Sequence, residues 1–117
     1  MHDEPLVAVV VVHFGSPNMT RECLQSICNS TYLNVCVIVV DNSPEQRLFP
    51  SFPEVEGTVS YIVNSTNKGY CGGNNVGIVK AQQLGAKYLL LLNNEALVDS
   101  ALLSNCVSTW RASPIFQ

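Results

Sequence analysis

From residue 6 to residue 12 the chain offers no polar side chain, and 35–40 is likewise an unbroken run of Val, Ile and Cys. Runs this short and this rich in β-branched residues predict strands buried on both faces, as in a parallel sheet, where no polar alternation is needed. Val59 to Val63 predicts a shorter third strand and Tyr88 to Leu92 a fourth. Between the first two strands, Ser16-Pro17 reads as an N-cap with Pro at the first helical position. Met19, Cys23, Leu24 and Ile27 then form one apolar stripe. Ile78, Ala81 and Leu84 mark a second helix that ends near Gly85, and its glycine-rich approach, Asn67 to Gly77, predicts a strand-to-helix turn. Asp99 is placed to cap a last helix with Leu102, Leu103, Cys106, Val107 and Trp110 on one face, halted by Ser113-Pro114. The stretch with Pro44, Pro50 and Pro53 is a loop.

Strands that alternate with helices imply an α/β fold with a parallel sheet and right-handed crossovers, in which ligands bind beyond the carboxyl ends of the strands. His13 to Gly15, Asp41-Asn42, Asn64 to Gly73 and Asn93 to Glu95 follow four different strands, so this topology gathers them on one rim.

The bulk composition narrows the classes. At 117 residues the chain suits one domain with one core, which can bury roughly two-thirds of its unfolded surface. With 47% hydrophobic and 13% charged residues it is not a disordered chain, and its apolar runs are too short to span a bilayer. The net charge of −3, with six scattered basic residues, leaves no footprint for nucleic acid or an anionic membrane. The acidic start, Met1 to Pro5, is unlike a signal peptide, so a cytoplasmic location is expected. On that expectation the sequons at Asn18, Asn29 and Asn64 are chance matches. Five cysteines with no C-x-x-C pair argue against a zinc ribbon and a disulfide framework, and read as buried free thiols. Cys71, in the glycine-rich segment, is the one exception.

Each rim segment carries two readings. Asp41 follows a strand and can accept from a base N–H or ribose hydroxyl, or it can simply make the Asp-Asn-Ser-Pro turn. Asn67 to Gly77 offers backbone N–H groups near a helix N-terminus, with Lys68 adding charge. That suits a phosphate, and the same glycines suit a tight turn and close helix packing. Asn93 and Glu95 can turn both side-chain oxygens toward one Mg²⁺ or Mn²⁺ that bridges a diphosphate, or Glu95 can be solvated beside an Asn-Asn turn. His13, with no second His or nearby carboxylate, suits a hydrogen-bonding role at the rim better than a base or metal ligand.

Taken jointly and in this order, the four segments resemble family 2 glycosyltransferases of the GT-A fold, over roughly Leu6 to Leu103. Val9 to Gly15 looks like the family's V-V-N-Y-N, and Val39 to Ser43 like V-V-D-N-G/S. Asn67 to Gly77 is similar to N-x-G-F-A-G-G-N-N-x-G of the rhamnosyl- and galactofuranosyl-transferring branch, and Leu91 to Glu95 stands where that branch has L-L-N-x-D, a relaxed D-x-D.

The resemblance implies a Rossmann-like parallel sheet in three α/β/α layers, with 1–117 as a single, partial domain: the N-terminal, nucleotide-sugar-binding half. Val12, His13 and Phe14 would border the base, and Asp41 with Asn42 the uracil or thymine and ribose. Asn67, Lys68, Gly69, Gly73, Asn74, Asn75 and Asn93 would lie near the donor, and Glu95 with Asn93 would bind Mg²⁺ or Mn²⁺. The implied activity is inverting, metal-dependent transfer from a UDP- or dTDP-sugar to a saccharide or lipid-linked acceptor in cell-surface polysaccharide synthesis, at the inner face of the membrane. No catalytic residue is assigned, because the family's general base and acceptor site follow in the second half and the chain ends at Gln117. The alternative is a catalytically incomplete nucleotide-sugar-binding or regulatory module. A nucleotidyltransferase is disfavoured, since its glycine-rich signature after the first strand is absent. A sheet edge left open by a missing half would favour a homodimer.

Overall fold

The computed structural model describes residues 4–48 and 58–112. Its elements run β1 (Val7–His13), α1 (Pro17–Cys28), β2 (Val35–Asp41), β3 (Thr58–Val63), α2 (Gly69–Gln83), β4 (Tyr88–Asn93) and α3 (Leu102–Ala112). The four strands form one sheet in the order β3-β2-β1-β4, and every pairing is parallel. Pro50, Pro53 and Ser113-Pro114 lie outside the described residues.

The polar-free stretch Val7 to Val12 of β1 is explained by its position inside the sheet, between β2 and β4. Its side chains alternate between two apolar layers, as successive residues of a strand must. Val7, Val9 and Val11 pack with Cys23, Leu24 and Ile27 of α1 and with Leu103 and Val107 of α3. Ala8, Val10 and Val12 pack on the other face with Ala81, Val76 and Leu84 of α2. The result is the three-layer α/β/α arrangement expected. Ser16 caps α1 as its position predicted, its Oγ accepting from Met19 N at 3.4 Å ahead of Pro17. Burial of Cys23 in the α1 layer pushes its thiol up to about 11, so it is an inert core thiol; Cys36 is also buried, whereas Cys71 is exposed on α2.

One expectation is corrected. The glycine-rich segment is not a turn that precedes a helix: from Gly69 onward it is α2 itself, so Gly72, Gly73 and Gly77 sit inside the helix. The reason is proximity to the sheet. A Cβ on Gly77 would stand 2.3 Å from Val10 Cγ1, and one on Gly73 would stand 2.8 Å from Val12 Cγ1 and from Asn42 Nδ2. Tertiary packing therefore overrides the low helix propensity of glycine. The expected end of this helix near Gly85 stands, with Gly85 at φ +79° one residue past the C-cap Leu84. β4, at the edge of the sheet, is only partly covered, and Leu91 is 40% exposed.

Candidate functional site

Because all four strands run in parallel, their carboxyl ends share one rim, and two adjoining cavities open there. The first, of about 360 Å³, lies between the β1–α1 turn (Phe14, Gly15) and the loop Ser43 to Gln46. The second, of about 230 Å³, lies between the start of α2 (Gly69, Tyr70), Val12 and Asn42 on the sheet, and Asn93 to Glu95. Phe14 and Asn67 line both. Together they make a groove of the size a small ligand uses, with an exposed aromatic ring at its middle.

The second cavity abuts a helix N-terminus. Asn67 Oδ1 accepts from Gly69 N at 2.8 Å, Gly69 turns the chain at φ +74°, and the Lys68 side chain makes no capping bond. The first-turn N–H groups of α2 lack intrahelical partners by construction and carry the positive end of the helix dipole. Val12, Phe14, Asn42, Asn67, Gly69, Asn93 and Glu95 thus converge on the groove.

Other expected residues do not reach it. Asp41 is fully buried, and its carboxylate is already saturated. Oδ1 accepts from Ser43 N at 2.9 Å and Arg47 Nη1 at 3.1 Å, while Oδ2 accepts from Leu48 N at 2.9 Å and from the Tyr61 hydroxyl. Four donors fill the lone-pair positions of a carboxylate. Burial works against its ionisation, but the bonds from Tyr61, Leu48, Ser43 and Arg47 outweigh it and hold the Asp41 carboxyl below its ordinary value. Asp41 therefore folds the 43–48 loop that forms the wall of the first cavity, and turns no oxygen toward the groove. Arg47 extends the same knot to β3 by donating from Nη2 to Asn64 O at 2.7 Å.

His13 is also fully buried, with Nδ1 2.6 Å from Thr20 Oγ1 and Nε2 2.7 Å from Gln46 O, so it borders no ligand directly. Gly73 is covered by its contact with Val12 and Asn42. Asn74 is buried, and its Oδ1 has no hydrogen-bond partner among the described residues, while Lys68, at the N-cap, and Asn75, on α2, are exposed. Asn42 both lines the second cavity and ties it together: its Oδ1 accepts from Asn64 Nδ2 at 2.5 Å, and its Nδ2 donates to Gly69 O at 2.9 Å.

Several residues of the groove had no individual role assigned from the sequence. Pro44 to Gln46 belong to the loop that follows the second strand, and Tyr70 to the glycine-rich segment. Asn94, between the two expected cation ligands, donates from Nδ2 to Phe14 O at 2.8 Å and to Thr20 Oγ1 at 2.9 Å, which anchors the turn after β4. The polar triplet itself was the only signal for it.

Among the described residues no group of three His, Cys, Asp or Glu side chains is placed to hold a metal ion. Asn93 and Glu95 are exposed on the second cavity, where they supply one carboxylate and one amide oxygen. That donor set fits a hard cation that completes its shell with water and a ligand's phosphates, and does not fit an all-protein cage.

Three comparisons bear on the rim. A family model described as Glycosyl transferase family 2 matches residues 8–115. An uncharacterized glycosyltransferase of Haemophilus influenzae is 27% identical over 81 residues, 67% of this chain and 25% of that protein. Among solved structures, the chain superimposes on S. aureus TarS 1-349 with a TM-score of 0.73 and 19% identity, covering 88% of this chain and 31% of that one. It superimposes on the mannosyltransferase PcManGT from Pyrobaculum calidifontis, solved with GDP-Man and Mn²⁺, with a TM-score of 0.75 and 20% identity, covering 94% and 33%. A TarS structure with UDP-GlcNAc also matches, with a TM-score of 0.70. The chain thus spans about a quarter to a third of the length of these relatives, and at these identities the structural likeness speaks for the fold.

Proposed function

Since the chain belongs to glycosyl transferase family 2, we propose that its rim groove binds a nucleoside diphosphate sugar and that it is the donor-binding part of an inverting glycosyltransferase. The observation that carries this reading is the pairing of the two cavities across Phe14 and Asn67. The first suits a nucleobase and ribose, between the Phe14 ring and the polar backbone of the 43–46 loop. The second suits the diphosphate, between the N-terminus of α2 and the Asn93-to-Glu95 turn. Lys68, exposed beside that N-terminus, adds positive charge.

Glu95 and Asn93 would hold Mg²⁺ or Mn²⁺ there, and such a cation, when bound, neutralises charge that builds on the leaving diphosphate. The presence of Mn²⁺ with GDP-Man in one structural neighbour supports the choice of a divalent cation. Because neighbours were solved with UDP-GlcNAc and with GDP-Man, the donor panel to be tried includes GDP beside UDP and dTDP. We assign the acceptor, a saccharide or lipid-linked hydroxyl, and the general base to no residue of this chain. A rhamnosyltransferase-like donor preference, a role in cell-surface polysaccharide synthesis, a cytoplasmic location against the membrane and homodimer formation through the open β4 edge belong to the same proposal. No helix among the described residues is long and apolar enough to cross a membrane.

A second reading, a nucleotide-sugar-binding or regulatory module without transfer, is favoured by the single carboxylate at the second cavity among the described residues, with Asn93 where a D-x-D motif has an acid. Calorimetric titration with UDP, dTDP and GDP, with and without Mn²⁺, tests both readings. Saturable binding of at least one, tightened by Mn²⁺, is expected; no binding of any refutes both. Glycosyl transfer by a longer protein that carries this chain, from a donor that the chain alone binds without turnover, then separates the transferase from the module.

A further inference from the structure

We propose that His13 and Thr20 are positioning residues that lock the two halves of the groove to each other through one directed hydrogen-bond chain. The proposal rests on the donor-binding reading only for its consequence on affinity, since the hydrogen bonds themselves join protein groups alone.

The direction follows from the partners. Gln46 O can only accept, so His13 Nε2 carries the proton and donates to it at 2.7 Å. With the proton on Nε2, Nδ1 accepts from the Thr20 hydroxyl at 2.6 Å, a far closer acceptor for that proton than Ser16 O at 3.5 Å, and the Thr20 oxygen accepts in turn from Asn94 Nδ2 at 2.9 Å. Every donor points the same way, from Asn94 through Thr20 and His13 to Gln46. Hydrogen bonds arranged head to tail in a buried setting reinforce one another. His13 and Thr20 are both fully buried, so neither can trade its partner for water.

The two ends of the chain are what give it a function. Gln46 lies in the wall of the first cavity and Asn94 in the wall of the second. Asn94 spends its remaining amide hydrogen on Phe14 O at 2.8 Å, so the same chain also holds the backbone of the ring that separates the cavities. Neighbouring Asn93 and Glu95 inherit their place from this anchor. The base-side loop and the diphosphate-side turn are therefore set at one spacing by two side chains that never touch the ligand.

Thr20→Val keeps the shape and deletes the hydroxyl, and Thr20→Ser keeps the hydroxyl. In ¹⁵N-labelled apo protein, the wild-type His13 ring is expected to show its proton on Nε2 and an accepting Nδ1. T20V is expected to shift the resonances of both 43–47 and 93–95, and T20S to restore both. In titrations with UDP and GDP in the presence of Mn²⁺, T20V weakens whichever binds by about tenfold, and T20S stays within about twofold. A proton on Nδ1 alone, shifts confined to one of the two segments, or unchanged nucleotide affinity in T20V overturns the proposal. If the wild type binds neither nucleotide, the donor-binding reading fails and the apo spectra alone decide whether the chain exists.

Discussion

Arg47 Nη1 lies 3.1 Å from Oδ1 of the fully buried Asp41 and 3.0 Å from the Asp41 backbone carbonyl, so one guanidinium nitrogen grips both the side chain and the main chain of the last residue of β2. With Ser43 N, Leu48 N and the Tyr61 hydroxyl, this makes Asp41 the hub on which the 43–48 loop is wound. Asp41→Asn turns two of four acceptor positions into donors that face donors. A loss of about 3 kcal/mol is expected from urea denaturation, with the wall of the first cavity loosened. A near-wild-type midpoint would show that the hub contributes little.

The same hub sets a pH dependence. Burial disfavours the charged form of Asp41, yet the bonds from Tyr61, Leu48, Ser43 and Arg47 prevail, and its carboxyl is held below the ordinary range. A group whose folded value is depressed contributes stability that is present above its unfolded value, about 4, and is lost as pH falls through the lower folded value. The urea midpoint should therefore drop on acidification below about pH 4, and it should drop less in Asp41→Asn. Parallel profiles for the two proteins would contradict this sign.

Gly77→Ala tests the close approach of α2 to the sheet. The new Cβ would meet Val10 Cγ1 at 2.3 Å, and Val10 is a fully buried side chain of the central strand. Overpacking is expected to cost about 1–3 kcal/mol despite a gain in helix propensity of about 1 kcal/mol. Adding Val10→Ala removes the clashing methyl group, so the double variant should be more stable than the sum of the single losses allows. Simple additivity would mean that α2 moves aside without cost.

Much of the fold could be read from the sequence because its causes are local. The unbroken run 6–12, the Ser16-Pro17 cap and the stripe through Cys23, Leu24 and Ile27 each state their own structure. Gly73 and Gly77 of α2 misled because the reasons for them include Val12 and Val10, each more than sixty positions away along the chain. That the four segments share one rim was legible, since strand polarity alone fixes it, but the direction in which a side chain faces at a strand end depends on distant donors. Asp41 faces inward because Arg47, Leu48 and Tyr61 bond it there, and His13 because Thr20 and Gln46 do. Phe14, Asn67 and Glu95 are exposed and line the groove, and the Asn67 side chain is bonded only locally, to Gly69 N, among the described residues.

Glu95→Gln removes the one carboxylate that lines the second cavity among the described residues and keeps its size. Nucleotide affinity without metal should be unchanged, and the increment from Mn²⁺ should disappear, as read by paired titrations. A variant that retains the full Mn²⁺ increment would place the cation elsewhere.

The central claim, a nucleoside diphosphate laid along the groove, is tested most directly by mapping amide shifts as UDP and then GDP are added with Mg²⁺. Shifts concentrated at Gly15, Ser43 to Gln46, Asn67 to Tyr70 and Asn93 to Glu95 are the predicted result. The opposing result is a map with no specific shifts for either nucleotide, or one centred on the cavity of Lys87, Tyr88, Leu89 and Trp110, where Tyr88 and Trp110 stack with ring centroids 5.0 Å apart.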